Sequence, residues 1–117
     1  DAIGSTVIVA EKMMDAVTAV SGSGPAYVFL FVECWIKAAR KLGFSEQEAR
    51  QLVYPTLTGS AHMLAACADS PETLRQKVTS RGGTTQAATD VFFSKDIPGV
   101  FEAALKAART RARALSQ

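Results

Sequence analysis

A chain of 117 residues is the size of one ordinary domain, and at 48% apolar and 21% charged residues it has the composition of a globular protein rather than a disordered tail. A net charge of +2 sets aside a strongly basic nucleic-acid module. The longest nearly apolar stretch, residues 26–36, is interrupted by Glu33 and is about half the ~20 residues a membrane span needs, so no transmembrane segment is expected.

In chain order, Thr6, Val7, Ile8 and Val9 form a β-branched run suited to a strand, with no second strand to pair with. Residues 1–10 therefore read as a linker or remnant strand, and residues 11–117 as a helical domain. The chain starts at Asp1 without a charged leader or cleavage signal, which suggests a piece of something larger. Residues 11–20 carry Met13, Met14, Val17 and Val20 at the spacing of a short amphipathic helix. Ser21, Gly22, Ser23, Gly24 and Pro25 then predict a break, with a serine available to cap the helix that follows. That helix is expected over 25–42, stopping at Gly43. Ser45 and Glu48 have capping-box spacing and open a helix reaching Cys67, kinked or divided at Pro55. Ser70, Pro71 and Glu72 start a short helix to about Val78. After the interruption at 79–85, a helix over 84–93 and a last one ending near Leu115 complete an all-α fold of about six helices. In the last helix Phe101, Ala104, Leu105, Ala108 and Ala112 share a face.

Tyr27, Val28, Phe29, Leu30, Phe31, Val32, Trp35 and Ile36 cover the whole circumference of the second helix. A helix apolar all round is buried all round, and so small a domain encloses few helices by itself. Part of that surface is therefore expected to meet a second copy; the alternative is the central helix of a monomeric bundle. Cys34 and Cys67 lie in apolar, helix-like surroundings without metal-ligand spacing, which fits a reducing, cytoplasmic compartment.

Familiar catalytic constellations are absent. His62 is the only histidine and has no triad partner at a suggestive spacing, so it reads as a helix-surface or core residue, and no metal site is expected. Gly22, Ser23 and Gly24 are followed by Tyr27 where a dinucleotide fingerprint needs a third glycine, and no strand–helix–strand unit surrounds them. The run Gly82, Gly83, Thr84, Thr85 is more informative. Glycines let backbone N–H groups turn inward, and a helix starting just after them adds unsatisfied donors and partial positive charge. Such a pocket suits a carboxylate, with Ser80, Thr84 and Thr85 supplying hydroxyls. The alternative is a plain helix cap, with the glycines as a turn and a threonine as cap. A stripe of Lys106, Arg109, Arg111 and Arg113 reads as a solvated face rather than a nucleic-acid surface.

Two segments, residues 15–27 and 74–85, closely resemble the C-terminal domain of pyrroline-5-carboxylate reductase. The resemblance extends over nearly the whole chain, including Lys41-Leu42-Gly43, Glu48-Ala49-Arg50, Thr58-Gly59-Ser60-Ala61 and Phe101-Glu102-Ala103-Ala104. It implies an interlocked homodimer with scope for higher assembly, and a preceding Rossmann domain that binds NADPH or NADH. It also implies reduction of 1-pyrroline-5-carboxylate to L-proline, with the isolated chain inactive. By the same resemblance, Ser80, Gly82, Gly83, Thr84 and Thr85 form the substrate loop. Backbone N–H groups there hold the carboxylate, and the Thr85 hydroxyl, the catalytic group, faces the imine nitrogen. Ser23, Gly24 and Pro25 lie on the nicotinamide side. No nucleic-acid or membrane partner is implied. Two positions depart from the family pattern: Arg81 stands where proline is usual, and Pro55 falls mid-helix. A free-standing, non-catalytic dimerisation or ligand-binding relative is the competing reading.

Overall fold

The computed structural model describes residues 10–117. The strand expected at Thr6 to Val9 lies outside the described residues, as does nearly all of the linker at 1–10. Among the described residues every regular element is helical, so the all-α expectation holds. The helices are α1 (Met14–Val17), α2 (Gly24–Lys41), α3 (Glu46–Ala66), α4 (Pro71–Lys77), α5 (Thr84–Ser94) and α6 (Ile97–Leu115). They fall into two compact units, one made of the described residues up to 28 together with 98–117, the other of residues 29–97.

In the first unit a 3-10 turn, Glu11–Met13, leads into α1, and a π turn, Thr18–Gly22, follows it. The break expected at 21–25 does not occur as an open turn. Pro25 has no N–H to give to the turn before it, and the backbone answers by slipping register. The Ser23 N–H donates to the Thr18 carbonyl five residues back at 2.8 Å, and α2 resumes at Gly24. Ser21 does not cap α2; its hydroxyl donates instead to the Val17 carbonyl at 3.1 Å. The Tyr27 hydroxyl bridges the slip, donating to the Ala19 carbonyl at 2.7 Å. On α6, Leu105, Ala108 and Ala112 form a half-buried stripe at helical spacing, while Phe101 and Ala104, expected on the same face, are exposed.

In the second unit α2 ends in a Schellman motif: the Phe44 N–H donates to Ala39 O at 3.4 Å and the Gly43 N–H to Arg40 O at 3.0 Å. Gly43 takes φ +112°, a conformation glycine reaches without Cβ strain. The capping box of α3 is complete, with the Glu48 N–H donating to Ser45 Oγ at 3.1 Å and the Ser45 N–H to Glu48 Oε1 at 2.8 Å. Pro55 neither ends nor divides α3, which runs as one helix through it. Ser70 caps α4 by accepting the Thr73 N–H, with Pro71 at the first helical position. Surface ion pairs, Lys37 with Glu33 and Arg50 with Glu46, decorate these helices at four-residue spacing. Such pairs contribute little individually.

The core is very small. Among the described residues only Ala19, Ala49 and Val53 are buried, and no residue of α2 is. Phe29 is 69% exposed and Trp35 45%. The girdle of α2 is therefore not the enclosed centre of a monomeric bundle. The helical stretch Glu11–Lys41 is also long and apolar enough to cross a membrane by length and composition alone. This exceeds the expectation from the 26–36 stretch, because the π turn joins α1 to α2 instead of separating them.

Candidate functional site

The segment between α4 and α5 is held at both ends. Leaving α4, the Val78 N–H donates to Arg75 O and the Thr79 N–H to Gln76 O, both at 3.2 Å, while the Thr79 hydroxyl caps Arg75 O at 2.6 Å. The Arg75 guanidinium sits 5.2 Å from the centre of the Phe93 ring, a cation–π contact that ties α4 to α5. The Asp69 carboxylate pairs with Lys77 at 2.5 Å. Its hydrogen bond to Lys77, helped by Cys67, holds Asp69 below the usual carboxylate range, and the same bond raises Lys77.

Residues 80–83 form a tight turn. The Gly83 N–H donates to Ser80 O at 3.0 Å, Gly82 has φ +74°, and Arg81 is not among the residues of positive φ. That combination is a type II turn, whose third position requires φ > 0 and hence favours glycine. Arg81 occupies the second position, where proline also fits, so its presence leaves the turn intact. Gly83 is tight for another reason: a Cβ there would lie 3.2 Å from Ser80 O, so a side chain would require the turn to give by a few tenths of an ångström.

Gly83 is the N-cap of α5, and with no side chain it gives the helix no side-chain cap. The alternative of a threonine cap is thus not realised, since Thr84 and Thr85 are already helical. The first helical bond runs from the Ala87 N–H to Gly83 O at 3.1 Å. The Gly82 N–H, for its part, donates to Gln86 Oε1 at 2.5 Å. Both glycine amides expected to face a carboxylate are therefore engaged inside the turn. The amides of Thr84, Thr85 and Gln86 have no partner among the described residues, and neither does the Thr85 hydroxyl. Thr85 and Gln86 are half-buried, while Ser80, Arg81, Gly82 and Thr84 are exposed. Residues 78–86 contain one arginine and no acid. Three open N–H groups thus lie at the positive end of an eleven-residue helix, an end whose partial charge and donors suit an anion.

Ser80, Gly82, Gly83, Thr84 and Thr85 are thus brought together on one loop and helix start. Ser23, Gly24 and Pro25 belong to the other unit, where they join the π turn to α2. His62 lies exposed on α3, and no cluster of metal-ligating side chains occurs among the described residues. Cys34 and Cys67 are free thiols. An open groove of about 350 Å³ in the first unit is lined by Ala16, Ala19, Val20, Leu105 and Arg109 and includes none of the predicted site residues. Gln86 was not singled out by sequence reading. The signal available was its place three residues after the N-cap, where Glu or Gln reaches back to a backbone N–H.

Residues 11–115 match the family model described as pyrroline-5-carboxylate reductase dimerisation. The chain is 43% identical over 107 residues to the pyrroline-5-carboxylate reductase of Pseudomonas aeruginosa, covering 92% of this chain and 39% of the relative. It is 45% identical over 87 residues to pyrroline-5-carboxylate reductase 2 of Bacillus subtilis, covering 74% and 31%. Among solved structures, the pyrroline-5-carboxylate reductase of Coxiella burnetii superposes with a TM-score of 0.90 at 41% identity, covering 94% of this chain and 41% of that one. The pyrroline carboxylate reductase of Plasmodium falciparum with NADP bound gives 0.88 at 33% identity, covering 93% and 42%. The chain thus spans well under half the length of these relatives.

Proposed function

The chain belongs to the pyrroline-5-carboxylate reductase dimerisation family, and from that membership we propose that it is the dimerisation and substrate-binding part of an NAD(P)H-dependent enzyme reducing 1-pyrroline-5-carboxylate to L-proline. The observation that carries this reading is the set of open N–H groups on Thr84, Thr85 and Gln86 beside the unengaged Thr85 hydroxyl. The substrate is a ring bearing a carboxylate next to a C=N nitrogen, so it needs an anion receptor and a hydrogen-bond donor a short distance apart. The amides receive the carboxylate. The Thr85 hydroxyl donates to the ring nitrogen, drawing electron density from the C=N carbon and favouring hydride addition there; the nitrogen, which gains the C=N electron pair, takes a proton relayed through that hydroxyl from solvent, which restores the hydroxyl. Ser80 and the turn at Arg81 to Gly83 border the same pocket.

The described residues contain no strand–helix–strand unit and so do not fit a dinucleotide. The reductant is held by another part of the enzyme, with Ser23, Gly24 and Pro25 turned towards it, and this chain alone is inactive. Dimer formation has its own physical support. In the girdle of α2 Phe29 is 69% exposed, Leu30 58% and Trp35 45%, a large apolar surface of the kind that marks an interaction site. A second copy interlocked on that girdle, in a soluble cytoplasmic enzyme, accounts for it without lipid.

In the full-length enzyme Thr85→Ala is expected to lower kcat/KM by about tenfold or more, with Thr85→Ser retaining most activity. Unchanged kinetics in Thr85→Ala would remove the hydroxyl from the mechanism.

A further inference from the structure

We infer that Gln86 is a positioning residue that locks the Arg81–Gly82 peptide in the orientation that keeps the anion receptor open; the inference rests on the substrate reading above. The central peptide of a β-turn has two orientations, related by a flip of about half a turn, which distinguish type I from type II. Glycine at position 82 permits both. In the orientation observed, the Gly82 N–H points over the first turn of α5 and donates to Gln86 Oε1 at 2.5 Å. After a flip, the Arg81 carbonyl takes the direction the N–H had. It is then turned to the side on which Gln86 of the first turn of α5 lies, and the amides of Thr84, Thr85 and Gln86 in that turn are open. A carbonyl so placed competes with the substrate carboxylate for the same N–H groups.

The side chain of Gln86 favours the observed orientation because its oxygen already holds the Gly82 N–H, whereas a flipped carbonyl would gain a bond only if the side-chain amide also turned over to present its NH2. No other polar side chain is recorded on the Gly82 amide, and the Cβ site of Gly82 has nothing within 4 Å to restrain the peptide by packing. The half-buried setting of Gln86 strengthens the bond over its value in open solvent. Gln86 touches neither the reacting carbon nor the ring nitrogen, so its loss weakens substrate binding rather than the chemical step.

The test uses full-length enzyme with 1-pyrroline-5-carboxylate and NADPH, comparing wild type, Gln86→Ala and Gln86→Glu, and follows exchange of the Gly82 amide proton in each. Gln86→Ala is expected to raise KM about three- to tenfold with kcat within about twofold, and to lose Gly82 protection. Gln86→Glu keeps an acceptor at the same reach, so it retains Gly82 protection and guards against reading a folding defect as a positioning effect. Its added charge repels the anion, so its KM is raised at low salt and falls back as salt screens the charge. A KM within about twofold of wild type in Gln86→Ala overturns the proposal, as does a raised KM with Gly82 protection intact or a loss confined to kcat. Wild-type enzyme that cannot reduce 1-pyrroline-5-carboxylate defeats the functional reading first and this inference with it, an outcome distinct from the other three.

Discussion

Phe29 offers the sharpest test of the pairing of two copies through α2. A phenylalanine side chain can bury about 200 Å², and Phe29 stands 69% exposed in the single chain, leaving roughly 140 Å² for a partner to cover. At about 25 cal/mol per Å², covering it contributes about 3.5 kcal/mol per protomer. Truncation to alanine forfeits roughly 2.5 kcal/mol of that, and a symmetric dimer loses it twice. The total of about 5 kcal/mol weakens association by between about three and four orders of magnitude. Sedimentation equilibrium over nanomolar to micromolar concentrations reads this directly, with Phe29→Ala dissociating in a range where wild type stays paired. A wild-type chain that is monomeric at micromolar concentration, or a Phe29→Ala variant as tightly paired as wild type, would refute the reasoning.

Gly82→Ala meets no steric obstacle, yet forces an L-residue to φ +74°. It is expected to cost about 1–2 kcal/mol, with Gly82→Asn milder, measured as a lower urea midpoint or a higher KM; identical behaviour of Ala, Asn and wild type would show that the turn is not held as described. The Asp69–Lys77 pair titrates at both ends of the pH scale. Asp69 has a lowered pKa when folded, so its stabilisation is present above the unfolded pKa and is lost as pH falls through the folded one. Lys77 has a raised pKa, so its share is present below the ordinary lysine pKa and is lost as pH rises through the raised one. Asp69→Asn should therefore flatten both flanks of the stability profile while changing the neutral plateau least in shape, and profiles of wild type and variant that run parallel in acid and alkali would contradict the assignment.

What the sequence disclosed was mostly local. Ser45 with Glu48, Ser70 with Pro71, and Gly43 each act within about four residues, so their geometry follows from spacing. The same locality misled at Ser21 to Pro25, where turn-forming residues read as a break. The backbone absorbed the proline through a π turn, a choice that depends on which carbonyl Ser23 can reach. At the loop, glycines and threonines marked the place, but spacing could not tell that the Gly82 and Gly83 amides would be consumed by Gln86 and Ser80. The open donors consequently lie one to three residues further on than a reading of the glycines suggests. The apolar girdle of α2 was plain from composition; its exposure was not, because burial there depends on atoms the chain does not contain.

A core that among the described residues consists of Ala19, Ala49 and Val53 also bears on how the protein lives at different abundances. On the proposed pairing through α2, a chain stabilised chiefly by its own second copy has no fixed melting temperature. Each tenfold dilution removes about 1.4 kcal/mol from the assembled state. At low synthesis rates single chains persist longer with Phe29, Leu30 and Trp35 uncovered, open to chaperones, proteases or misassociation. Expression level thereby becomes a determinant of stability, and a substitution tolerated when the protein is plentiful can be lethal to it when it is scarce.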